Sequence, residues 1–191
     1  MNTFSDDQII RSVKEGRTQD FAVLVERYKK KIVNFINRMI YDYDEAQNIA
    51  QDVFLKVYET INKYKMEDNF SAFIFTIARN LTLNYIKKTK RTVTLSSFFS
   101  KQTEEKHFSS DAQQEEKYLE NHDEETLVAS LKELNENQRL ALILKVYLDF
   151  SYKRIEEVTG WSVPKIETLI SRAKNNLRNN FFLQEKRIKD V

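Results

Sequence analysis

The sequence predicts an all-α protein: two small helical domains, a helical bundle and a helix-turn-helix domain, joined by a flexible linker. Three observations lead there. Only two glycines and one proline occur in 191 residues, whereas sheets and hairpins depend on such residues at their turns. Apolar side chains recur at spacings of three and four through two long blocks, the period of a helix buried along one side. Between the blocks, residues 93–122 are rich in Ser, Gln and Glu and carry no sustained stripe, which is the composition of a linker. Hydrophobic residues make up 41% of the chain, enough for each block to bury a core.

The first block, residues 1–92, reads as four helices. Ser5 with Gln8 forms a capping-box pattern, and Gly16 is placed to stop the short helix it opens. Thr18 is the expected cap of a longer helix with Phe21, Leu24, Val25, Tyr28, Ile32, Phe35, Ile36 and Met39 inward. Asp44 with Gln47 is the expected cap of a third, lined by Ile49, Val53, Val57 and Ile61 with help from Phe54 and Tyr58. A polar break from Lys63 to Asn69 follows. The fourth helix starts at Phe70 and stripes one face with Phe70, Phe73, Ile74, Ile77, Leu81 and Tyr85. Its opposite face carries Phe75, Thr76, Arg79 and Asn80, and it ends in Lys87, Lys88, Lys90 and Arg91. Short joins between such helices make a bundle.

The second block, residues 123–191, opens with a helix over DEETLVASLKEL. Asn135 with Gln138 is the expected cap of a helix running through Phe150. Ser151 caps a short helix that Gly160 stops, and Ser162 caps the last, with Pro164 in its first turn. That last helix turns Ile166, Leu169, Ile170, Ala173 and Leu177 inward, and Trp161 in the turn is expected to pack on the same core.

Charge is partitioned. Residues 1–92 hold 16 Lys and Arg against 12 Asp and Glu, residues 93–125 hold 3 against 9, and residues 126–191 hold 12 against 8. Two basic blocks flank an acidic segment, so the net charge of +2 understates the contrast. The absence of cysteine excludes disulfides and thiolate metal sites. The N-terminus lacks the basic and apolar regions of a signal peptide, and no apolar run approaches the roughly 18 residues of a membrane helix. A cytoplasmic protein is expected. The two histidines, His107 and His122, lie in the linker. Glu104 and His107 make a single Glu-x-x-His spacing, where helical di-iron sites need two. No Gly-rich phosphate loop occurs. The expectation is therefore no catalytic residue, no metal and no cofactor.

Two features point to nucleic acid instead. The basic end of the fourth helix suits phosphate contact, although Lys at a helix C-terminus also complements the helix dipole. Residues 151–178 have the helix, turn and helix of a DNA-binding motif, although an ordinary antiparallel helix pair has the same spacing. The second helix presents Lys165, Glu167, Thr168, Ser171, Arg172 and Lys174, with Arg178 further on. Residues of these types near a helix start can reach base edges and phosphates.

With both blocks read, the chain resembles the extracytoplasmic-function sigma factors of bacterial RNA polymerase. The resemblance covers about residues 5–92 and 123–183. DEAQNIAQDVFLKVY at 44–58 is similar to the family's clamp-docking helix, FSAFIFTIARNLTLNYIKK at 70–88 to its start-proximal promoter helix, and residues 134–177 to its upstream-element reader. The resemblance implies that Asp44, Glu45, Gln51 and Asp52 face the polymerase clamp. It implies that Arg79 and Asn80 sit at the start-proximal element, and that the break from Tyr64 to Asn69 captures a base flipped from the melting strand. It implies that Lys165, Glu167, Thr168, Ser171 and Arg172 read the upstream element. It further implies core RNA polymerase and promoter DNA as partners, an anti-sigma factor as another candidate, and a linker that threads the polymerase. Phe73 stands where the family often has Trp, Glu167 where it often has Lys or Arg, and Leu169 where it often has Arg. The promoter sequence therefore does not carry over. Two other readings fit the residues alone: a free-standing helix-turn-helix regulator that dimerises through the first block, and a protein-interaction adaptor.

Overall fold

The structure, a computed structural model, describes residues 4–65, 69–99 and 129–189. Among them every regular element is helical. The N-terminal block is α1 (Asp6–Lys14), a 3-10 turn (Thr18–Asp20), α2 (Phe21–Ile40), α3 (Tyr43–Thr60), a second 3-10 turn (Ile61–Lys63) and α4 (Phe70–Phe99). After a short helical stretch at 129–132 come α5 (Glu136–Leu142), a π-helical turn (Ile143–Tyr147), α6 (Tyr152–Thr159) and α7 (Val163–Lys189).

Local chemistry explains most boundaries. Gln8 N–H donates to Ser5 Oγ at 3.2 Å and Ser5 N–H to Gln8 Oε1 at 2.8 Å, closing the capping box on α1. Gly16 follows at φ 100°, a conformation costly for any residue with a Cβ. Asn135 and Ser151 accept N–H groups of α5 and α6, and Gly160 ends α6 in the left-handed region at φ 69°.

Four expected boundaries differ, one being the helix expected to run through Phe150, whose helical turns end at Tyr147 before Asp149 takes φ 51°. Thr18 opens a 3-10 turn, and α2 begins only at Phe21. Asp42, two residues before the expected Asp44, caps α3 by accepting Glu45 N–H at 3.0 Å. It can do so because Tyr41 ends α2 at φ 58° and turns the chain without a glycine. Third, α4 continues past Arg91 to Phe99, so residues 93–99, read as the start of the linker, are helical. The rest of the expected linker, with Glu104, His107 and His122, lies outside the described residues.

The α2, α3 and α4 helices pack side by side and bury Leu24, Ile32, Phe35, Ile36, Val53, Val57 and Ile74 completely. Tyr28 lies among them, its hydroxyl donating to Asp6 Oδ2 at 2.5 Å; burial, and then this bond, hold the phenol well above its usual pKa. In the C-terminal block α7 packs across α5 and α6 through Ile166, Ile170 and Ala173, and Trp161 is buried as expected.

The two blocks are not separate bodies. One continuous apolar cluster joins Phe35, Ile74 and Phe75 to Leu144, Ile155 and Val158. Phe75, expected on the polar face of α4, is buried at this junction. Its ring meets Phe35 edge-on at 5.5 Å and Phe150 at 5.2 Å. The π-helical turn contributes. A regular helix would carry Tyr147 back to the inner face after Leu140 and Leu144. The wider turn leaves Val146 and Tyr147 exposed, and Tyr147 lies 3.9 Å beneath the Arg38 guanidinium of the first block.

Candidate nucleic-acid interface

A 30-residue helix such as α4 is about 45 Å long. Its first half is core, with Phe70, Ala72, Ile74, Phe75, Ala78 and Thr82 buried. Thr82 is satisfied by donating its hydroxyl to Ala78 O at 2.7 Å. Further along, Asn80, Asn84, Lys87, Lys88 and Arg91 are exposed at helical spacing and make one solvent-facing stripe. Lys90 leans instead to an ion pair with Glu136 of α5.

Arg79 does not share that stripe. It is half-buried beneath α6, where Nη1 reaches Val158 O at 3.5 Å and Asn80 Oδ1 at 3.2 Å. Among the described residues its Nε, buried, has no hydrogen-bond partner, and burial pushes the guanidinium pKa below its usual value. Tyr64 is also no free base-stacking platform. Its ring is packed against Phe70 and Phe73, its hydroxyl donates to Asp7 at 3.2 Å, and Lys14 Nζ donates to its carbonyl at 2.6 Å. Residues 66–68 of the same break lie outside the described residues.

On α7, Lys165, Glu167, Thr168, Ser171 and Arg172 are all exposed, as expected. The buried Ile166, Ile170 and Ala173 set this phase by seating the other face on α5 and α6. Lys165 lies 5.1 Å over the Trp161 ring, and the Thr168 hydroxyl donates to Pro164 O at 2.8 Å. Two side chains at the helix start are thereby held in place.

A third surface lies on α3. Asp44, Gln51 and Asp52 are exposed, while Glu45 is partly buried and accepts Asn48 Nδ2 at 3.2 Å. Between them the structure adds Leu55, 62% exposed, which the inward stripe of this helix does not single out. A leucine three and four residues beyond Asp52 and Gln51 must share their outward face, and that spacing is the signal the sequence carries for it.

Comparison with known proteins covers both blocks. Residues 24–92 match the family model for sigma-70 region 2, and residues 124–177 that for sigma-70 region 4. The RNA polymerase sigma-H factor of Pseudomonas aeruginosa is 29% identical over 177 residues, which are 88% of this chain and 90% of that one. The ECF RNA polymerase sigma-E factor of Haemophilus influenzae is 23% identical over 92% of this chain and 94% of its own. The chain belongs to the sigma-70 family, extracytoplasmic-function type. Sigma factor RpoE of Bartonella quintana, solved with the anti-sigma factor NepR, shares the fold at a TM-score of 0.67. It is 24% identical, over 85% of this chain and 97% of that one. The α2–α4 bundle of this sigma factor thus falls in region 2, and α5–α7 in region 4. Among the described residues no helix is long and apolar enough to cross a membrane.

Proposed function

We propose that this sigma factor brings core RNA polymerase to its promoters through three surfaces, each with a separate task. Residues 1–92 dock on polymerase and hold the start-proximal element, and residues 123–191 read the upstream element. Asp44, Glu45, Gln51 and Asp52, with Leu55 among them, meet the polymerase clamp. Asn80 faces the start-proximal bases, with Arg79, half-buried beneath α6 in the free chain, beside it, and Lys87, Lys88 and Arg91 hold phosphates. Lys165, Glu167, Thr168, Ser171 and Arg172 meet the upstream element. The sigma factor contributes binding and no catalysis, and it works in the cytoplasm, where polymerase and promoters are. An anti-sigma factor is a further candidate partner, since the Bartonella relative was solved with one.

The observation that carries this reading is the exposed helix start of α7 in the same chain as the exposed α3 stripe. A DNA reader alone would need no second polar surface with a bare leucine on it. Run-off transcription with purified core polymerase on a promoter library tests it. Specific transcripts are expected. A protein that ignores polymerase and shifts DNA by itself as a dimer would instead be a free-standing regulator.

Replacing Lys87, Lys88 and Arg91 together by Ala should weaken promoter binding by the polymerase complex. It should also flatten the salt dependence, by roughly one unit of slope for each phosphate released. A salt titration of the complex reads this directly, and an unchanged slope would leave these cations to the helix dipole. On α7, Glu167→Lys should change the preferred upstream sequence, because a carboxylate accepts from a cytosine amino group whereas an ammonium seeks guanine; a good base contact is worth about 1–3 kcal/mol of discrimination. Selection from randomised promoters would show it, and identical upstream sequences for both proteins would remove Glu167 from the reader.

A further inference from the structure

A seam between α2 and residues 145–154 carries cations and rings in alternation, apart from the three surfaces described above. Lys31 Nζ lies 6.0 Å from the Tyr28 ring, and the Arg38 guanidinium 3.9 Å from Tyr147. Lys145 Nζ lies 5.4 Å from Tyr152, and the Arg154 guanidinium 5.8 Å from Phe150. The two edges run in opposite directions. Tyr28 meets Phe70 edge-on at 5.4 Å, next to the Asn69 that Arg154 holds. Phe35 and Phe150 then meet through Phe75, and Arg38 reaches Tyr147. The first edge thus advances from 28 to 38 while the second returns from 154 to 147, and the buried rings between them fix the alignment.

Spacings of three and four put Arg27, Lys31, Asn34 and Arg38 on the face of α2 that borders the seam, over about 16 Å. Arg27 is tied to Asp6, so Lys31 and Arg38, both exposed, are the cations this edge offers. The facing edge offers the rings of Tyr147 and Tyr152, 40% and 37% exposed. Of the acids on that edge, Glu157 is engaged by Arg154 at 3.3 Å, and Asp149 is exposed. A nucleic-acid duplex hides the faces of its bases and could use only the cations. A single strand offers phosphates to the cations and unstacked bases to the rings.

We infer that this seam binds single-stranded RNA in the free chain: Lys31 and Arg38 hold phosphates of the strand, and Tyr147 and Tyr152 each stack a base. Asn34, between the two cations, adds an amide for ribose hydroxyls. RNA is the single strand that a cytoplasm supplies in excess, and that choice rests on the cytoplasmic reading above. The site itself does not depend on the docking or promoter roles, since neither the α4 stripe nor the start of α7 takes part. With phosphate contact and stacking as its means, it binds with little regard for sequence.

Fluorescence anisotropy of a labelled, hairpin-free RNA oligomer with the full-length free protein, across a salt series, tests this. Salt-sensitive binding is expected. Lys31→Ala with Arg38→Ala should flatten the logarithmic salt slope by about 1.4, at roughly 0.7 for each phosphate contact on a single strand. Tyr147→Ala and Tyr152→Ala should each weaken binding by about five-fold or more, as loss of a base–ring stack does. Tyr147→Phe and Tyr152→Phe keep the rings and should keep the affinity. Circular dichroism and thermal melting check that each variant is folded. Where an alanine variant fails to fold, photocrosslinking decides with the wild-type protein. The same RNA carrying 4-thiouridine should crosslink within residues 145–152, as mapped by mass spectrometry. Crosslinks confined to α4 or α7 overturn the proposal. So does RNA binding that survives the seam variants but is lost when Lys87, Lys88 and Arg91 are replaced by Ala. A DNA oligomer of the same sequence separates the two kinds of strand. Binding of the DNA without the RNA overturns the choice of RNA, and binding of neither overturns the site.

Discussion

Gln51→Ala combined with Asp52→Arg should abolish most promoter-specific transcription while leaving the free protein's fold and melting almost unchanged. Both side chains are exposed on α3, behind a core face set by Ile49, Val53 and Val57. Exposed substitutions of this kind usually change stability by within about 0.5 kcal/mol. A charge reversal in the middle of a charged protein interface costs several times that, because the partner's charges are then left facing a like charge. Leu55, beside the pair, leaves an exposed apolar side chain on the same face. The measurement is paired: thermal melting of the free protein, then pull-down and run-off transcription with core polymerase. Full transcription from the double variant would place the docking surface elsewhere.

The largest effect on stability should come from Phe75→Ala. The ring is 1% exposed and is held edge-on between Phe35 of its own block and Phe150 of the other. Truncating a buried phenylalanine costs about 3–5 kcal/mol, a large share of the roughly 5–15 kcal/mol that holds a domain folded. Denaturant unfolding should register this as a lower midpoint. Phe73→Ala, two residues away and only partly buried, should cost less. A loss at Phe75 of under about 1 kcal/mol would mean that this three-ring contact is not populated in solution.

Phe75 also marks a limit of what periodicity can reveal. The inward stripes of α2 and α3, the caps at Ser5, Asn135 and Ser151, and the stop at Gly160 all depend on neighbours within a few residues, and each is legible in the chain, save that Tyr58, expected to help line α3, is 43% exposed. The second buried face of α4 depends on Phe150 and Val158, roughly eighty residues downstream. Periodicity reports one preferred face, so a helix covered on two sides is read as buried on one. Tyr64 is hidden in the same way, since its partners Asp7 and Lys14 come from α1. Of the candidate site, the exposed residues on α3 and α7 follow from phase alone. The position of Arg79 does not, because it is set by packing between blocks. The cap of α3 falls to Asp42 because Tyr41 takes a left-handed turn that sequence assigns to glycine.

Arg139, which ties α5 to the end of α2, also limits how this chain can vary. Its Nε donates to Leu131 O at 3.0 Å, its Nη2 to Lys132 O at 2.6 Å and Leu134 O at 3.2 Å, and its Nη1 to Met39 O at 2.8 Å. The guanidinium also faces the Tyr41 ring at 5.2 Å. Lysine would keep the charge but brings a single nitrogen, which cannot reach carbonyls on both sides of the fork at once. A replacement that preserved charge would therefore still release the end of α2 from the loop ahead of α5. Lysine, the usual conservative exchange, would therefore lose most of the fork that Arg139 makes with these carbonyls.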